Sequence, residues 1–452
     1  MITIDNKVKE RMKTIHVDDI INQNRLSRLQ KQVLILSFLI FFCDGLDTGI
    51  IGFIAPALLD DWGISKPALA PVLSAALVGM SIGAIISGPI SDRFGRKGTI
   101  LVSTFLFALF SVLSGFATDT TQLMIYRLMT GLGLGAVMPN ISTLVSEYMP
   151  ANRKVFLTSI PGCGFLLGIS SGGLISSVFL ETIGWRMIMV VCGILPLLLL
   201  MVLFFKLPES VRFLIKHNQL IAAQKILEKI QGSVIDLTRL ANVVDTTSSQ
   251  SIRPVQFLFR RHLKISVCLW LSCFMSLLVF YLFTSWMPTI LKTSGLSTEQ
   301  FSLIASVFPI GGAIGAAIIG WYMDKINPHR VIKSAYLIAF ILFITASFIH
   351  SNLFLLSLTI LLTGAMLAGA QAALLPLATI SYPTECRAVG VSWMHGIGRL
   401  GAIFGAFTGS LIFQFSFSLG EILLILSVPT FIAFLGLNLQ SDRHNNKAEI
   451  VT

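Results

Sequence analysis

The sequence predicts an all-α membrane protein in which twelve transmembrane helices form two six-helix halves, repeated in the same direction. Three observations predict this fold class: a composition too apolar for a water-soluble protein, twelve long apolar segments, and an internal repeat of short motifs. A chain of this kind buries its apolar surface in lipid as well as in its own core.

The composition excludes most soluble proteins. Of the 452 residues, 54% are hydrophobic and only 12% are charged, whereas soluble domains carry about 25% charged residues. A water-soluble fold has no place for many apolar runs of about 20 residues, the length that spans a bilayer. The six cysteines lie in or beside apolar segments without the C-x-x-C spacing of a metal site, so we expect no metal and no cofactor.

Twelve apolar segments follow one another, and their length and Gly/Pro content are typical of membrane helices. They cover residues 32–56, 68–90, 98–117, 122–146, 155–180, 187–206, 263–288, 301–322, 331–349, 353–377, 388–414 and 421–439. The long polar stretch between the sixth and seventh contains HNQLIAAQKILEKIQ, which predicts an amphipathic helix. The predicted divisions are an N-terminal segment (1–31), a first half (32–206), a linker (207–262), a second half (263–439) and a tail (440–452).

Basic residues orient these helices. With the N-terminus inside, 28 Lys and Arg residues fall in inside segments, and three fall in outside loops, namely Lys66, Arg186 and Lys292. This bias predicts a multi-pass protein of the cell (inner) membrane with both termini in the cytoplasm. It also accounts for the net charge of +11 without a nucleic-acid partner.

An internal repeat relates the two halves. GPISDRFGRK recurs as GWYMDKINPHR, with Asp92 and Asp324 232 residues apart. TGLGLGAVMP recurs as TGAMLAGAQA, with Thr130 and Thr363 233 residues apart. Two halves repeated in the same direction predict a transporter with its binding site between them, near the middle of the bilayer.

The motif GPISDRFGRK resembles the loop between helices 2 and 3 of the major facilitator superfamily, G-x-x-x-D-R-x-G-R-[RK]. The resemblance implies a cytoplasmic gate that contains Gly88, Asp92, Arg93, Gly95 and Arg96. A glycine permits close helix approach, and the charged groups can pair across the gate. The alternative is a basic loop that serves only orientation.

The second copy of this motif keeps Asp324 but lacks the second glycine, which weakens the same expectation there. Further segments are similar to the aromatic acid:proton symporter family within the superfamily, namely DGLDTGIIGFIAPAL (44–58), RLMTGLGLGAVMPN (127–140) and LPESVRFL (207–214). The resemblance covers nearly the whole chain. It implies a secondary transporter, not an enzyme, that imports a hydroxybenzoate-like monocarboxylate with protons by alternating access.

Two aspartates interrupt the first apolar segment. Asp44 and Asp47 are three residues apart and share a helix face. A charge at membrane depth costs about 2.5–3.5 kcal/mol and usually faces a protein-lined cavity. Two neighbouring carboxylates disfavour double ionisation, and a group protonated near neutral pH suits proton coupling. We expect Asp44 or Asp47 to carry the coupled proton; the alternative is that one pairs with an arginine or caps backbone opened by Gly45 and Gly49.

Two arginines also lie inside apolar segments, Arg127 in the fourth and Arg399 in the eleventh. An arginine fork binds a carboxylate through two parallel hydrogen bonds, which is the chemistry that an aromatic acid needs at one end. We expect both arginines to contact substrate or to relay charge. The alternative for each is a structural pair with Asp44, Asp47 or Glu147.

The remaining candidates rest on analogy or on the needs of an aromatic ring. Glu147 and Arg387, near the inner ends of the fourth and tenth segments, are gate residues by family analogy. A ring needs a flat apolar surface, which Trp286 or Trp393 can supply, and His395 can donate to a ring hydroxyl. The alternative for the tryptophans is packing against neighbours or lipid.

Other functions stay open from the sequence. The same fold can carry a sugar acid, a dicarboxylate such as muconate, or a sugar, although buried arginines favour an anion. A membrane sensor that signals through the linker is a further alternative, but the linker is short for an output domain. The sequence has no Walker motif for binding nucleotide phosphates, so it does not support an ATP-driven pump. We expect a monomer whose partners are an aromatic carboxylate, protons and lipid.

Overall fold

The computed structural model describes residues 17–22, 26–232, 258, 262–383, 386–415 and 417–448, and all regular structure within these ranges is helical. The membrane-length helices are α1 (Arg28–Trp62), α2 (Lys66–Phe94), α3 (Arg96–Ser114), α4 (Thr120–Tyr148), α5 and α6, which are the two parts of the helix Lys154–Lys206, α7 (Leu263–Thr293), α8 (Thr298–Met323), α9 (Pro328–Ile349), α10 (Leu353–Ser381), α11 (Arg387–Ile412) and α12 (Leu419–Ala448).

The helix Lys154–Lys206 contains two membrane spans. As one straight helix its 53 residues would extend for about 80 Å, more than twice the thickness of a bilayer core. It is broken at Gly184, whose φ of 76° lies in the left-handed region that favours glycine. Residues 154–183 form α5 and 185–206 form α6. With this break the described residues form twelve helices of membrane length. Ten of the described helices, with the broken one counted once, are also apolar enough to cross a membrane, and α11 is not among these ten. The predicted fold class is confirmed.

Polar residues mark where several of these helices begin. Ser27 and Ser297 form capping boxes at the starts of α1 and α8. The side chains of Asp119 and Asn352 accept backbone hydrogen bonds at the starts of α4 and α10. Each side-chain oxygen satisfies an N–H group that the helix itself leaves unpaired.

The twelve helices pack as two equivalent groups. In the first half α1 packs on α5, α2 on α4, and α3 on α4 and α6. In the second half α7 packs on α11, α8 on α10, and α9 on α10 and α12, so each contact recurs six helices later. The halves meet through α2 with α11, α5 with α8, and α1 with α7. This arrangement is the parallel repeat that the motifs predict.

The halves are held together at one end of the bundle. We call the end at which α1 begins and α6 ends the terminal face, and the opposite end the far face. At the far face, Lys292 of α7 pairs with Asp60 of α1 at 2.5 Å. The Lys66 ammonium of α2 lies 4.1 Å from the ring centroid of Phe413, which follows α11. The far face is therefore closed by contacts between the two halves.

The helices pack more closely around glycines near the far face than around glycines near the terminal face. A Cβ on Gly52 of α1 would lie 2.3 Å from the Thr284 carbonyl oxygen of α7, and one on Gly173 of α5 would lie 2.6 Å from Ser306 Cβ of α8. The backbones thus approach closely toward the far face. Nearer the terminal face, the four helices α2, α5, α8 and α11 each carry a glycine whose added Cβ would meet no atom within 4 Å: Gly88, Gly162, Gly320 and Gly396.

Short helices lie at the terminal face: Val17–Ile21, Val211–Lys216 and Leu220–Gln231. The helix Leu220–Gln231 confirms the predicted amphipathic helix, because Ala223, Leu227 and Ile230 lie on one buried face. It packs against Val17–Ile21. The predicted N-terminal segment before residue 17, most of the linker after 232 and the end of the tail lie outside the described residues.

Candidate functional site

Asp47 and Arg127 form a buried ion pair inside the first half. Arg127 Nη1 donates to Asp47 Oδ2 at 2.9 Å, and Nη2 donates to the Asp47 carbonyl oxygen at 3.0 Å. The Ser111 hydroxyl of α3 donates to Asp47 Oδ1. Both charged side chains are 0% exposed. The pair therefore joins α1, α3 and α4 and does not line an open space in this conformation. This arrangement corresponds to the alternative given above, in which an aspartate of α1 pairs with an arginine.

Asp44 lies about one turn before Asp47 on α1 and has few partners. It is 1% exposed, and Thr48 Oγ1 donates to its Oδ1 at 3.3 Å. Its Oδ2 has no hydrogen-bond partner in the part of the chain that the structure describes. Arg399 of α11, in the opposite half, is close enough to attract it electrostatically. A buried carboxylate with so few hydrogen bonds is costly as an anion, so this setting suits its protonated form.

Arg399 retains most of its hydrogen-bonding capacity. Its side chain is partly exposed, and Nη2 donates to the Met138 sulfur of α4 at 3.8 Å. A thioether is a weak acceptor, whereas a guanidinium has five N–H donors. No other hydrogen bond of this guanidinium is found within the described ranges. Arg399 can therefore accept a carboxylate ligand at the interface between the halves.

His395 and Tyr281 lie near Arg399. His395 precedes Arg399 by one turn of α11, so both lie on one helix face. It is exposed, and the two side chains interact electrostatically. Tyr281 of α7 is within electrostatic range of both Arg399 and Asp44. We call Asp44, Tyr281, His395 and Arg399 the central cluster; it combines a carboxyl group, a cation, an imidazole and an aromatic ring.

Gln371 borders the central cluster and was missed by sequence reasoning. Its Nε2 donates to Cys273 Sγ at 3.7 Å, and its Oε1 is buried without a partner among the described residues. Cys273 in turn interacts electrostatically with Arg399. A lone amide in the apolar stretch TGAMLAGAQAALLP is the signal that could have identified it.

Trp286 and Trp393 lie outside the central cluster. Trp286 is 0% exposed, and its indole N–H donates to the Ala406 carbonyl oxygen at 2.6 Å. Trp393 is 44% exposed and stacks on Trp270 with ring centroids 5.8 Å apart. It precedes Arg399 by six residues, about 9 Å along α11 toward the terminal face. We therefore leave both tryptophans out of the substrate contacts proposed below.

The loop between α2 and α3 is held by the start of the linker. Gly95 has φ 88° and ψ 163°, a conformation that is essentially restricted to glycine. The backbone N–H groups of Arg96 and Lys97 donate to Glu209 Oε1 at 2.8 and 3.1 Å. A Cβ on Gly95 would lie 2.3 Å from Glu209 Oε2. The glycine therefore makes room for a carboxylate that caps the positive end of α3.

Side chains extend this arrangement into a polar network. Arg96 Nη1 donates to Asp92 Oδ1 at 3.0 Å and to the Ser91 carbonyl oxygen at 3.3 Å. Arg96 also interacts electrostatically with Glu147 near the end of α4, and the Ser210 hydroxyl donates to Glu147. The network links α2, α3 and α4 to the linker at the terminal face.

The other predicted gate residues have fewer contacts. The Arg93 guanidinium lies 5.3 Å from the centroid of the neighbouring phenylalanine ring. Asp324 is exposed at the end of α8, and Arg387 Nε donates to the Tyr382 carbonyl oxygen at 3.3 Å. Asp324 and Arg387 make no ion pair with another described residue. Among the described residues, Asp324 in the second copy of the motif therefore lacks the ion pair that Asp92 makes in the first.

Known proteins match this chain over most of its length. The family model described as Major Facilitator Superfamily matches residues 37–406 and 269–450. The 4-hydroxybenzoate transporter of Pseudomonas putida is 44% identical, over 94% of this chain and 95% of the relative. The gallate transporter of the same species is 40% identical over 94% of each chain. The benzoate transport protein of Acinetobacter baylyi is 31% identical, over 97% of this chain and 95% of the relative.

Solved structures share the architecture. The inward open conformation of the xylose transporter from E. coli has a TM-score of 0.72 at 19% identity, covering 90% of this chain and 95% of that chain. A crystal structure of the D-xylose-proton symporter has a TM-score of 0.70 at 19% identity, covering 90% and 97%. At these identities the likeness shows the fold alone. The predicted resemblance to aromatic acid transporters is confirmed by the relatives. This chain is a multi-pass membrane transporter and not an enzyme, and it belongs to the major facilitator superfamily.

Proposed function

We propose that this protein imports a hydroxybenzoate-like aromatic monocarboxylate together with protons, by alternating access of one central site to the two sides of the membrane. The observation that carries the proposal is Arg399, a partly exposed guanidinium between the halves that lies within electrostatic range of Asp44 and whose one hydrogen bond among the described residues is to a weak acceptor. The names of relatives at 44% and 40% identity, transporters of 4-hydroxybenzoate and gallate, support this class of cargo.

The central cluster supplies the groups that such an acid requires. The guanidinium of Arg399 offers two parallel N–H donors to the carboxylate. His395, one turn away on the same face, is placed to hydrogen-bond a ring hydroxyl, and the unpartnered Oε1 of Gln371 offers a second acceptor. Tyr281 provides a flat apolar surface for the ring. A neutral sugar has no group that needs Arg399.

Proton coupling follows from competition for one cation. An ionised Asp44 and the cargo carboxylate are both partners for the guanidinium of Arg399. A proton on Asp44 removes that competitor and leaves Arg399 to the cargo. The loaded site then holds one cation and one anion, so the halves can rock without moving an unpaired charge through a low-dielectric region. Each anion therefore enters with at least one proton.

Asp47 and Arg127 act as positioning residues in this proposal. Their ion pair lies wholly within the first half and fixes α1 against α4. Asp44 is on the same helix about one turn away, so the pair orients it toward α11. Asp47 thus supports proton coupling without carrying the transported proton itself, and Arg127 is not assigned to the cargo.

We propose further that the terminal face is cytoplasmic and that the protein works as a monomer in the cell (inner) membrane. The distribution of Lys and Arg supports this orientation. The closed far face is then the outer side. The network of Asp92, Arg96 and Glu147 belongs to the inner gate, with Gly88, Arg93, Gly95, Asp324 and Arg387 as its other predicted members.

Uptake into proteoliposomes tests this function. Labelled 4-hydroxybenzoate is offered under an imposed inward proton gradient, with and without a protonophore, against unlabelled gallate, benzoate, muconate, a sugar acid and a sugar. We expect accumulation that the protonophore abolishes and that aromatic monocarboxylates inhibit most. Arg399→Gln should lose uptake, and Arg399→Lys should retain part of it.

Other outcomes would contradict particular parts of the proposal. Accumulation that survives the protonophore would exclude proton coupling. Stronger inhibition by muconate or by a sugar would assign a different cargo to the same site. Saturable binding without any uptake would support a membrane sensor instead.

A further inference from the structure

A groove lies between α8 and α9 near the terminal face, away from the central cluster. Its volume is about 430 Å³. Its lining includes Ile318 and Tyr322 of α8 and Val331 and Ile338 of α9, with Met366 of α10 behind them. All three helices belong to the second half, and α9 packs on α10 and α12. The groove therefore opens on the perimeter of the bundle, where a membrane protein meets lipid.

The wall of the groove is apolar and exposed. Ile318 and Tyr322 are each 44% exposed, Ile326 is 49% exposed and Ile338 is 44% exposed. Along α9 the lining runs from Arg330 to Ile338, which is about 12 Å, or a little over two helical turns. An apolar groove of this length at the membrane perimeter has a shape that can hold an acyl chain.

The mouth of the groove is cationic. Arg330 lines it and is exposed, and its guanidinium makes no hydrogen bond or ion pair with another described residue. Lys325 lies nearby along the chain, with its ammonium 3.5 Å from the centroid of the Trp321 ring. Asp324 is the acidic residue of this turn, and it is exposed. The mouth thus presents more positive than negative charge.

Aromatic residues place this mouth at the depth of lipid headgroups. The rings of Trp321 and Tyr322 lie 4.9 Å apart at the end of α8. Tryptophan and tyrosine concentrate where the hydrocarbon core meets the headgroups. Arg330 follows them in the first turn of α9, so its guanidinium fork lies at the level of lipid phosphates, which it can bind with two hydrogen bonds.

We propose that the groove binds an anionic phospholipid, with one acyl chain between α8 and α9 and the phosphate on Arg330. Lipid tails are as apolar as the groove, so the apolar wall selects the shape of an acyl chain and adds little net attraction. Selectivity for an anionic headgroup comes from the cations at the mouth. The site is independent of the cargo and of the central cluster.

Native mass spectrometry of the full chain tests the proposal, with phosphatidylglycerol as the anionic probe and phosphatidylcholine as the zwitterionic one. We expect wild-type protein to retain phosphatidylglycerol in preference. Arg330→Gln should weaken its retention about fivefold, the effect of one basic residue at an anionic headgroup, and should weaken retention of phosphatidylcholine less, because the choline cation offsets the charge of its phosphate. Arg153→Gln is the matched control, because Arg153 is also exposed at the terminal face but lies in the first half.

A second variant tests the groove itself. Ser334 is exposed and lines it, so Ser334→Trp should fill the space and reduce retention of both lipids. Equal retention of the two lipids by wild-type protein would overturn the proposal. So would an Arg330→Gln protein that binds like wild type, a Ser334→Trp protein that retains phosphatidylglycerol, or displacement of bound lipid by inorganic phosphate alone.

Discussion

Asp44 and Asp47 are three residues apart on α1, and we expect opposite consequences when each is neutralised. Asp47→Asn removes the carboxylate that pairs with Arg127 at 2.9 Å and leaves a guanidinium buried at 0% exposure. Asp44→Asn removes a carboxylate that accepts one hydrogen bond of 3.3 Å and whose Oδ2 has no described partner. The first change should damage the fold, and the second should damage transport.

The magnitudes follow from these contacts. Removing one partner of a buried ion pair costs about 3–5 kcal/mol, because the other charge stays buried and uncompensated. This is a large part of the roughly 5–15 kcal/mol by which folded proteins are typically stable. The single long hydrogen bond of Asp44 contributes about 1 kcal/mol or less, and an asparagine can keep it.

Thermal unfolding of the purified proteins, together with transport in liposomes, measures both effects. We expect Asp47→Asn to unfold at a clearly lower temperature than wild type. Asp44→Asn should unfold near the wild-type temperature, lose proton-driven accumulation, and still exchange labelled for unlabelled cargo. The double variant Asp47→Leu with Arg127→Met removes both buried charges and should recover most of the lost stability.

Two results would refute this reasoning. An Asp47→Asn protein as stable as wild type would show that the ion pair does not hold α1 in place. An Asp44→Asn protein that accumulates cargo to the wild-type level under a proton gradient would remove Asp44 from the coupling mechanism.

Two further predictions concern the gate network and cargo selection. Gly95→Ala should lower stability by about 1–3 kcal/mol, because it strains a backbone at φ 88° and displaces Glu209; thermal unfolding measures this. The double variant Gly95→Ala with Glu209→Ala should lose less stability than the sum of the losses in the two single variants. Losses that simply add would contradict a contact between the two residues. His395→Ala should weaken binding of 4-hydroxybenzoate about two- to tenfold relative to benzoate, the effect of one hydrogen bond. An unchanged ratio in competition assays would exclude His395 from contact with the ring hydroxyl.

The twelve-helix architecture could be predicted because the bilayer sets the length of its helices. The gap expected between segments 155–180 and 187–206 corresponds to the break at Gly184. The equivalence of α2 with α8, and of α4 with α10, follows from motifs repeated at nearly constant spacing. Such features depend on residues close together in the chain or on copies of one pattern.

The partners of buried charges could not be predicted in the same way. Two residues three apart on a helix lie about 60° apart around its axis, which is enough to face different neighbours. Asp47 pairs with Arg127 of its own half, whereas Asp44 lies within electrostatic range of Arg399 of the other half. The motif LPES gives no sign that Glu209 caps a helix that begins 113 residues earlier in the chain. Which helix lies beside a given face is a tertiary property.

The glycines with open space near the terminal face have a consequence for variants of this chain. Alanine is a better helix former than glycine, and at Gly88, Gly162, Gly320 and Gly396 its methyl group meets no atom within 4 Å. Any steric cost therefore falls on arrangements that bring these helices together at that end. Each 1.4 kcal/mol of such a cost is a tenfold shift in population. A methyl group at one of these positions would leave expression yield and folding intact and would slow the transport cycle. A variant that is abundant and folded can therefore still be inactive in transport.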